Sequence, residues 1–130
     1  MKEGTNIVVK IKATNIEQTP ALEEYARKRL SQLEKFLKHY SRESGELVFE
    51  IEIGKTTKHH KHGDVFRAEI NFTAGGNNFY TESTQENLYA AIDKAKDELA
   101  RELRRHKNKH HSLVKRGGAQ FKKLMRFGKK

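Results

Sequence analysis

Apolar and polar residues alternate along much of the chain, and the period of the alternation changes from one segment to the next. Between Ile7 and Ala13 every second residue is apolar, which is typical of a strand with one buried face. The same pattern recurs twice further on, and a glycine pair then offers the turn of a hairpin that leads to a fourth strand. The predicted strands cover residues 7–13, 47–53, 66–72 and about 78–83.

Two other segments repeat apolar residues every three or four positions, which is the period of a helix with one buried face. The first follows Thr19-Pro20, a pair that suits the cap and the first turn of a helix. The second follows Ser83–Glu86, which has the spacing of a capping box, so Ser83 is expected to cap it. The sequence therefore predicts one helix over 20–40 and another from about 88 to about 107.

The order of the predicted elements is β-α-β-β-β-α. Because each strand has one apolar face and each helix one apolar stripe, the economical packing is a four-stranded sheet with both helices on one face. We therefore expect a two-layer α+β domain over residues 1–109. Residues 110–130 contain few apolar side chains and the pair Gly117-Gly118, and they are expected to form a basic tail that is mostly disordered when free.

The composition narrows the class of protein. The chain has 130 residues, no Cys, 35% apolar residues and 34% charged residues, which fits a single domain with a modest core. The absence of Cys excludes disulfides, Cys-based zinc sites and Cys nucleophiles, and it suits the cytoplasm. No apolar run is long enough for a membrane span or a signal peptide, so no membrane partner is expected.

The positive charge is concentrated at one end of the chain. The formal net charge is +10. Residues 1–100 hold 15 Lys and Arg against 16 Asp and Glu, a net charge of −1, whereas residues 101–130 hold 12 against one, Glu102, a net charge of +11. A nearly neutral body with a basic end is typical of a protein that binds a polyanion such as nucleic acid.

Cations on the outer faces of both predicted helices are the first candidates for that binding. On a helical projection most of them lie opposite the apolar stripes, with Lys28 and Arg29 on the flank, and two helices on one side of a sheet would present them side by side. Such spacing suits a phosphate backbone, because each neutralised phosphate releases counterions. The alternative is that these charges only keep the helices soluble. The candidates are Arg27, Lys28, Arg29, Lys35 and Lys38 on the first helix, and Lys94, Arg101, Arg104, Arg105, Lys107 and Lys109 on and after the second.

The basic tail is the second candidate. It places two aromatic residues among cations, a combination with which proteins bind single-stranded nucleic acid by stacking on bases and neutralising the backbone. The alternative is a basic end without a fixed partner. The tail candidates are Lys115, Arg116, Phe121, Lys122, Lys123, Arg126 and Phe127.

A histidine cluster between the second and third strands is the candidate for metal chemistry. His59, His60, His62 and Asp64 would have to hold zinc and activate water, as in a metal-dependent nuclease. Adjacent loop residues rarely converge on one ion, and the neighbouring lysines would repel it, so an exposed loop that contacts RNA phosphate is the plainer interpretation. The sequence has no convincing catalytic triad and no phosphate-binding glycine motif. We therefore expect no enzyme, no metal, no cofactor and no small-molecule substrate.

Two parts of the sequence resemble a known family. The run Asn15–Tyr25 with Leu33–Phe36 behind it, and more specifically Leu88–Asp93 continued by Leu99–Lys107, resemble the ribosome hibernation promoting factor family. The order of elements agrees as well, over about residues 7–109. The resemblance implies a protein that binds the small ribosomal subunit near the decoding centre. There it would occupy the space of transfer RNA and messenger RNA and keep idle ribosomes inactive.

The resemblance also implies partners and roles for particular residues. The partners are the small ribosomal subunit and its ribosomal RNA, bound by a protein that is monomeric when free. Positions matching the family's basic residues are Arg29, Arg101, Arg105 and Lys107, which are expected to contact that RNA. Residues 110–130 are too few for the second domain of the family's long form, so a short form is expected. Because residues 101–130 carry a net charge of +11, we expect the tail to lie along the messenger RNA path and to add affinity.

Three positions depart from the family's pattern. Ala13 stands where the family usually has Gly, Asn87 where it has Asp, and Glu102 where it has Gln. Since Ser83 is expected to cap the second helix, Asn87 should leave the helix start intact. Glu102 adds a negative charge to a basic patch and is expected to weaken one RNA contact.

A general double-stranded RNA-binding module is the alternative function, because the α-β-β-β-α part of the predicted order matches the layout of that module. Phosphate contacts position a protein without reading sequence, so a ribosome-specific protein must take its specificity from the shape of the RNA pocket. Equal affinity for free duplex RNA and for ribosomes would therefore favour the general module.

Overall fold

The described residues form a four-stranded mixed sheet with helices packed on one face. The computed structural model describes the backbone of residues 6–44, 46–56 and 65–127, and the side chains of residues 7–38, 40, 46–56 and 65–109. Its elements in chain order are β1 (Asn6–Thr14), α1 (Pro20–Ser31), α2 (Glu34–Ser44), β2 (Glu46–Lys55), β3 (Phe66–Ala74), β4 (Asn77–Gln85) and α3 (Leu88–Phe127).

The sheet has the strand order β1-β2-β3-β4. β1 runs parallel to β2, and the other two pairs are antiparallel. A parallel pair needs a crossover connection, which α1 and α2 supply. The register places Ile11 beside Ile51 and Ile51 beside Ile70. The apolar positions of successive strands therefore share one face of the sheet.

The core lies between that face and the helices. Phe49 and Phe72 stack with ring centroids 4.5 Å apart, and Tyr40 of α2 meets Phe72 edge-on at 5.9 Å. From α3, Leu99 and Leu103 are fully buried in the same cluster. Because all three helices bury their apolar sides on one sheet face, the predicted two-layer α+β architecture is confirmed, and the outer sides of the helices remain open to solvent.

One predicted helix is two helices in the structure. The sequence predicts a single helix over 20–40, but α1 ends at Ser31 and α2 begins at Glu34. At the junction the backbone N–H groups of Gln32 and Leu33 donate to carbonyls three residues back, at 3.1 and 3.0 Å, which is a tighter turn than that of an α-helix. Leu33 remains buried, so the apolar spacing continues through the junction and does not reveal it.

Asn87 caps α3, and the prediction that Ser83 does so was wrong. The pairing of β4 with β3 extends to Gln85, which keeps Ser83 inside the strand. Asn87 Oδ1 accepts hydrogen bonds from the backbone N–H groups of Tyr89 and Ala90, at 2.8 and 3.0 Å. Asn and Asp are both favourable at this position, so Asn87 keeps the helix start capped, as expected.

α3 is longer than the sequence predicts. In place of a helix end near 107 and a disordered tail from 110, helical backbone continues to Phe127. The extension contains no proline and several good helix formers, such as Lys, Arg, Leu and Met. The cost of its two glycines, roughly 1 kcal/mol each, therefore does not end the helix. Within the described ranges, no helix combines the length and apolar character that crossing a membrane requires.

Candidate nucleic-acid interface

α1 and α2 turn most of their candidate cations outward. Arg27, Lys28, Lys35 and Lys38 are exposed, while Arg29 is half-buried. The exposure follows from the amphipathic pattern, because leucines on the opposite side of each helix fill the core. Four of the five cations predicted on this segment are thus open to a polyanion.

The candidate cations of α3 are also exposed, but carboxylates of the same helix accompany some of them. Arg101 Nη1 lies 3.2 Å from Glu98 Oε1, and Arg105 Nη1 lies 3.3 Å from Glu102 Oε2. Ion pairs this exposed contribute about 0–1 kcal/mol, so a phosphate can replace the carboxylate at little cost. The exposed cations of α3 are Lys94, Arg101, Arg104, Arg105, Lys107 and Lys109.

Arg29 differs from the other candidates because α3 already neutralises it. Its Nε lies 2.9 Å from Asp93 Oδ1, and the Tyr25 hydroxyl donates to the same carboxylate at 2.8 Å. The guanidinium carbon also lies over the Tyr25 ring, 4.9 Å from its centroid. Partial burial, and then the bond to Asp93, raise the pKa of Tyr25 above its ordinary value of 10.0. These contacts join α1 to α3 and give Arg29 a structural role.

Aromatic side chains line the junction between α1–α2 and α3. Tyr89, in the first turn of α3, meets Tyr25 edge-on with ring centroids 4.7 Å apart. Further along, the Phe36 ring centroid of α2 lies 5.3 Å from Lys35 Nζ and 6.0 Å from the guanidinium carbon of Arg104. The negative face of a ring attracts a cation, so Phe36 stabilises cations from both helices at this junction. The pattern of charges along the sequence does not distinguish these aromatic residues as candidates.

The open face of the sheet, which points away from the helices, has the opposite balance of charge. The register sets each lysine of β1 beside a glutamate of β2, and Arg67 of β3 pairs with Glu82 of β4. The bond from Arg67, followed by one from Tyr80, lowers the pKa of Glu82. The charged residues that the described strands place on this face are Glu46, Glu50, Glu52, Glu69 and Glu82 against Lys10, Lys12 and Arg67. Three of these acids, Glu50, Glu52 and Glu82, are thus cross-strand partners of cations.

Several sequence candidates lie outside the described side chains. The histidine cluster His59, His60, His62 and Asp64 falls in an undescribed stretch. Among the residues that the structure does describe, no group of three or more His, Cys, Asp or Glu could hold a metal ion. The tail candidates lie on the helical backbone of α3, beyond its described side chains: Lys115, Arg116, Phe121, Lys122, Lys123, Arg126 and Phe127.

Comparisons with known sequences agree on one family. The family described as "Sigma 54 modulation protein / S30EA ribosomal protein" matches residues 9–111. A ribosome hibernation promotion factor of Picosynechococcus sp. is 30% identical over 100 residues, which cover 77% of this chain and 49% of the relative. A ribosome hibernation promoting factor of Klebsiella oxytoca is 28% identical over 95 residues, which cover 73% of this chain and 87% of the relative. The chain thus spans about half the length of the first relative.

Solved structures share the fold. The Thermus thermophilus Protein Y N-terminal domain superposes with a TM-score of 0.58 at 26% identity, covering 78% of this chain and 97% of that domain. A ribosomal subunit interface protein from Coxiella burnetii shows the same fold at a TM-score of 0.57 and 15% identity, covering 78% of this chain and 98% of that one. The chain therefore belongs to the Sigma 54 modulation protein / S30EA ribosomal protein family, and the resemblance to the ribosome hibernation promoting factors is confirmed.

Proposed function

We propose that this protein is a ribosome hibernation factor. In this proposal it binds the small ribosomal subunit near the decoding centre, blocks transfer RNA and messenger RNA sterically, and so inhibits translation by idle ribosomes. Its family and the names of its curated relatives support the role. This chain matches about half of the Picosynechococcus relative, and the proposed role is the one we assign to that half.

The observation that carries the proposal is the difference in charge between the two sides of the domain. The outer sides of the helices expose cations such as Lys35, Arg101 and Arg104. The open face of the sheet carries five carboxylates and three cations on the described strands. A polyanion is attracted to the helical side, because there it exchanges counterions for protein cations. We infer that ribosomal RNA approaches the helices.

Binding at that side positions a rigid body on the subunit. Phosphate contacts fix its orientation but read no sequence, so the shape of the RNA pocket supplies the specificity. The buried residues beneath the helices, from Leu22 to Leu103, hold the three helices and their cations in fixed relative positions. Inhibition then needs no reaction: the domain acts in the cytoplasm by filling space, as a monomer, without a cofactor or a small-molecule substrate.

We further propose that residues 1–109 form the ribosome-binding domain and that residues 110–130 add affinity along the messenger RNA path. Residues 110–130 hold seven Lys and Arg and no Asp or Glu. Since each phosphate contact adds to the salt dependence of binding, truncation after Lys109 should weaken binding and flatten its decline with salt. A full-length chain with those seven cations changed to Gln is the matched control and should behave like the truncation. Unchanged affinity in both variants would reject this role.

Co-sedimentation with purified small subunits and translation in vitro test the proposed function. The double substitution Arg101→Glu and Arg105→Glu turns two exposed cations into carboxylates that repel RNA phosphate. We expect it to abolish subunit binding and translation inhibition together, and full retention of both would contradict the proposal. Free duplex RNA is the control ligand: equal affinity for duplex and subunit would favour the general double-stranded RNA-binding module.

A further inference from the structure

Tyr89 is an exposed aromatic side chain at the start of α3, on the helical side of the domain. It is 43% exposed, and Tyr80, the other strongly exposed tyrosine of the described residues, is 51% exposed. Tyr80 lies on the open face of the sheet, where its hydroxyl donates to Glu82 at 3.1 Å. Tyr89 instead meets the Tyr25 ring edge-on at 4.7 Å. That contact fixes the Tyr89 ring without burying it.

The surroundings of Tyr89 favour an uncharged ligand over a phosphate. Arg29 lies over the Tyr25 ring, and Asp93 neutralises it at 2.9 Å. The Tyr25 hydroxyl is occupied by the same carboxylate at 2.8 Å. A phosphate that approached this corner would therefore meet the carboxylate of Asp93 and an arginine that is already paired. A flat, uncharged ring could lie against Tyr89 without that repulsion.

The same side of α3 offers cations further along. Tyr89 and Lys107 are eighteen residues apart in the sequence, which is five turns at 3.6 residues per turn, so they project from the same side of the helix. Arg104, which lies near the Phe36 ring, is roughly 22 Å from Tyr89 along the axis at 1.5 Å per residue. One side of the helix thus has an aromatic ring at its start and cations further along. Proteins bind unpaired nucleic acid with this combination.

We propose that Tyr89 stacks on an unpaired nucleobase of the small-subunit ribosomal RNA, while the cations further along α3 bind phosphates. The inference rests on the proposed function and adds to it a contact with a base. Ribosomal RNA offers unstacked bases in loops and bulges, and such bases are recognised by aromatic side chains. Tyr89 then contributes affinity that does not depend on salt, because stacking releases no counterions.

Four full-length variants test the proposal by their affinity for purified small subunits. Tyr89→Ala removes the ring and should weaken binding about tenfold, within the range for loss of one stacked base. Tyr89→Phe keeps the ring and should bind like the wild type, whereas Tyr89→Leu keeps apolar bulk without a π face and should bind nearly as weakly as the alanine variant. Tyr80→Ala is the matched control on the sheet face and should bind normally. Thermal unfolding of each variant separates loss of contact from loss of fold.

The salt dependence and photochemical cross-linking supply independent readouts. Tyr89→Ala should lower the affinity at every salt concentration without changing the slope of log affinity against log salt. Ultraviolet irradiation of the wild-type complex should attach a nucleotide to Tyr89 and none to Tyr80. Wild-type affinity of Tyr89→Leu would overturn the inference in favour of an apolar protein contact, and wild-type affinity of Tyr89→Ala would overturn it outright. Absence of any wild-type binding would instead reject the proposed function itself.

Discussion

At the residue scale, Arg29 and Arg104 show how surroundings decide what a charge can bind. Arg29 is half-buried and paired with Asp93 at 2.9 Å. Arg104 is exposed, with its guanidinium 6.0 Å from the Phe36 centroid. An RNA phosphate has to displace a carboxylate to reach Arg29 but not to reach Arg104. The family resemblance predicts an RNA contact for Arg29, and the helical projection predicts one for Arg104. Their surroundings favour the contact at Arg104.

The sequence could predict these two arginines as candidate cations, but it could not predict which residues they contact. Both arginines lie beside an apolar stripe, and the helical period places them on an outer or flanking side. Tyr25 and Asp93, however, are 68 positions apart, and a single sequence carries no signal of a contact at that distance. Tyr25 and Asp93 each lie at the edge of an apolar stripe. That position indicates a contact between the helices only once the packing of the helices is known.

Asp93 should control the acidity of Tyr25. Burial and the hydrogen bond to Asp93 both raise the pKa of Tyr25, whereas Arg29 lowers it, so Asp93→Asn should lower that pKa. Because folding raises the pKa of Tyr25, the protonated hydroxyl favours the folded state. Its contribution to the free energy of unfolding is complete below about pH 10 and is lost as the pH rises through the folded pKa. Titration of the Tyr25 ring carbon Cζ by NMR measures the shift.

The matched control for Tyr25 is Asp97→Asn, which removes an exposed carboxylate that pairs with Lys96 on α3. This change should leave the pKa of Tyr25 where it is in the wild type. An unchanged pKa in Asp93→Asn, or an equal decrease in both variants, would show that the carboxylate of Asp93 does not act on the Tyr25 hydroxyl.

Asn87 should stabilise the start of α3. Asn87→Ala leaves two backbone N–H groups without their side-chain acceptor, and it should lower the free energy of unfolding by about 1 kcal/mol. Asn87→Asp should preserve stability, because a carboxylate caps as well and interacts favourably with the helix dipole. Urea unfolding followed by circular dichroism measures both. Glu86→Ala is the control and should leave the free energy of unfolding nearly unchanged. A loss equal to that of Asn87→Ala would instead support the capping box that the sequence predicts.

At the scale of elements, the hydrophobic period of the sequence predicted the strands and helices that bury one side. Alternation found three strands, the glycine turn indicated the fourth, and three-to-four spacing found the helices, because burial on one side generates both periods. The junction at Gln32 and Leu33 escaped detection because the buried side continues across it. The extension of α3 to Phe127 escaped because its apolar residues are sparse and two glycines interrupt them. Helix propensity alone leaves little periodic signal in a sequence.

The pairing of β1 with β2 depends on Gly54. A Cβ atom at Gly54 would overlap with the carbonyl oxygen of Thr14 on the neighbouring strand. Gly54→Ala must therefore push the two strands apart, and we expect a loss of about 1–3 kcal/mol in the free energy of unfolding. Urea denaturation measures it. Gly76→Ala is the matched control, because no described atom lies within 4 Å of its added Cβ, and an equal loss in both variants would contradict the close approach.

At the scale of the whole molecule, the fold separates charges that the composition mixes. Residues 1–100 have a net charge of −1, which conceals a cationic helical side and a sheet face with more carboxylates than cations. The basic end and the cationic sides of the helices were predictable, because charges can be counted along the sequence and projected onto a helix. The contrast in charge between the two sides was not predictable, since it depends on the strand register and on which sheet face the helices cover.

The most direct measurement of this contrast is the salt dependence of small-subunit binding for two charge-matched variants. Arg101→Gln with Arg105→Gln removes two cations from the helical side, and Lys10→Gln with Lys12→Gln removes two from the sheet face. If RNA binds the helices, the first variant should lose affinity and its slope of log affinity against log salt should decrease by about 1.5, while the second keeps the wild-type slope. Equal changes in both variants, or a larger change in the sheet variant, would contradict binding through the helices.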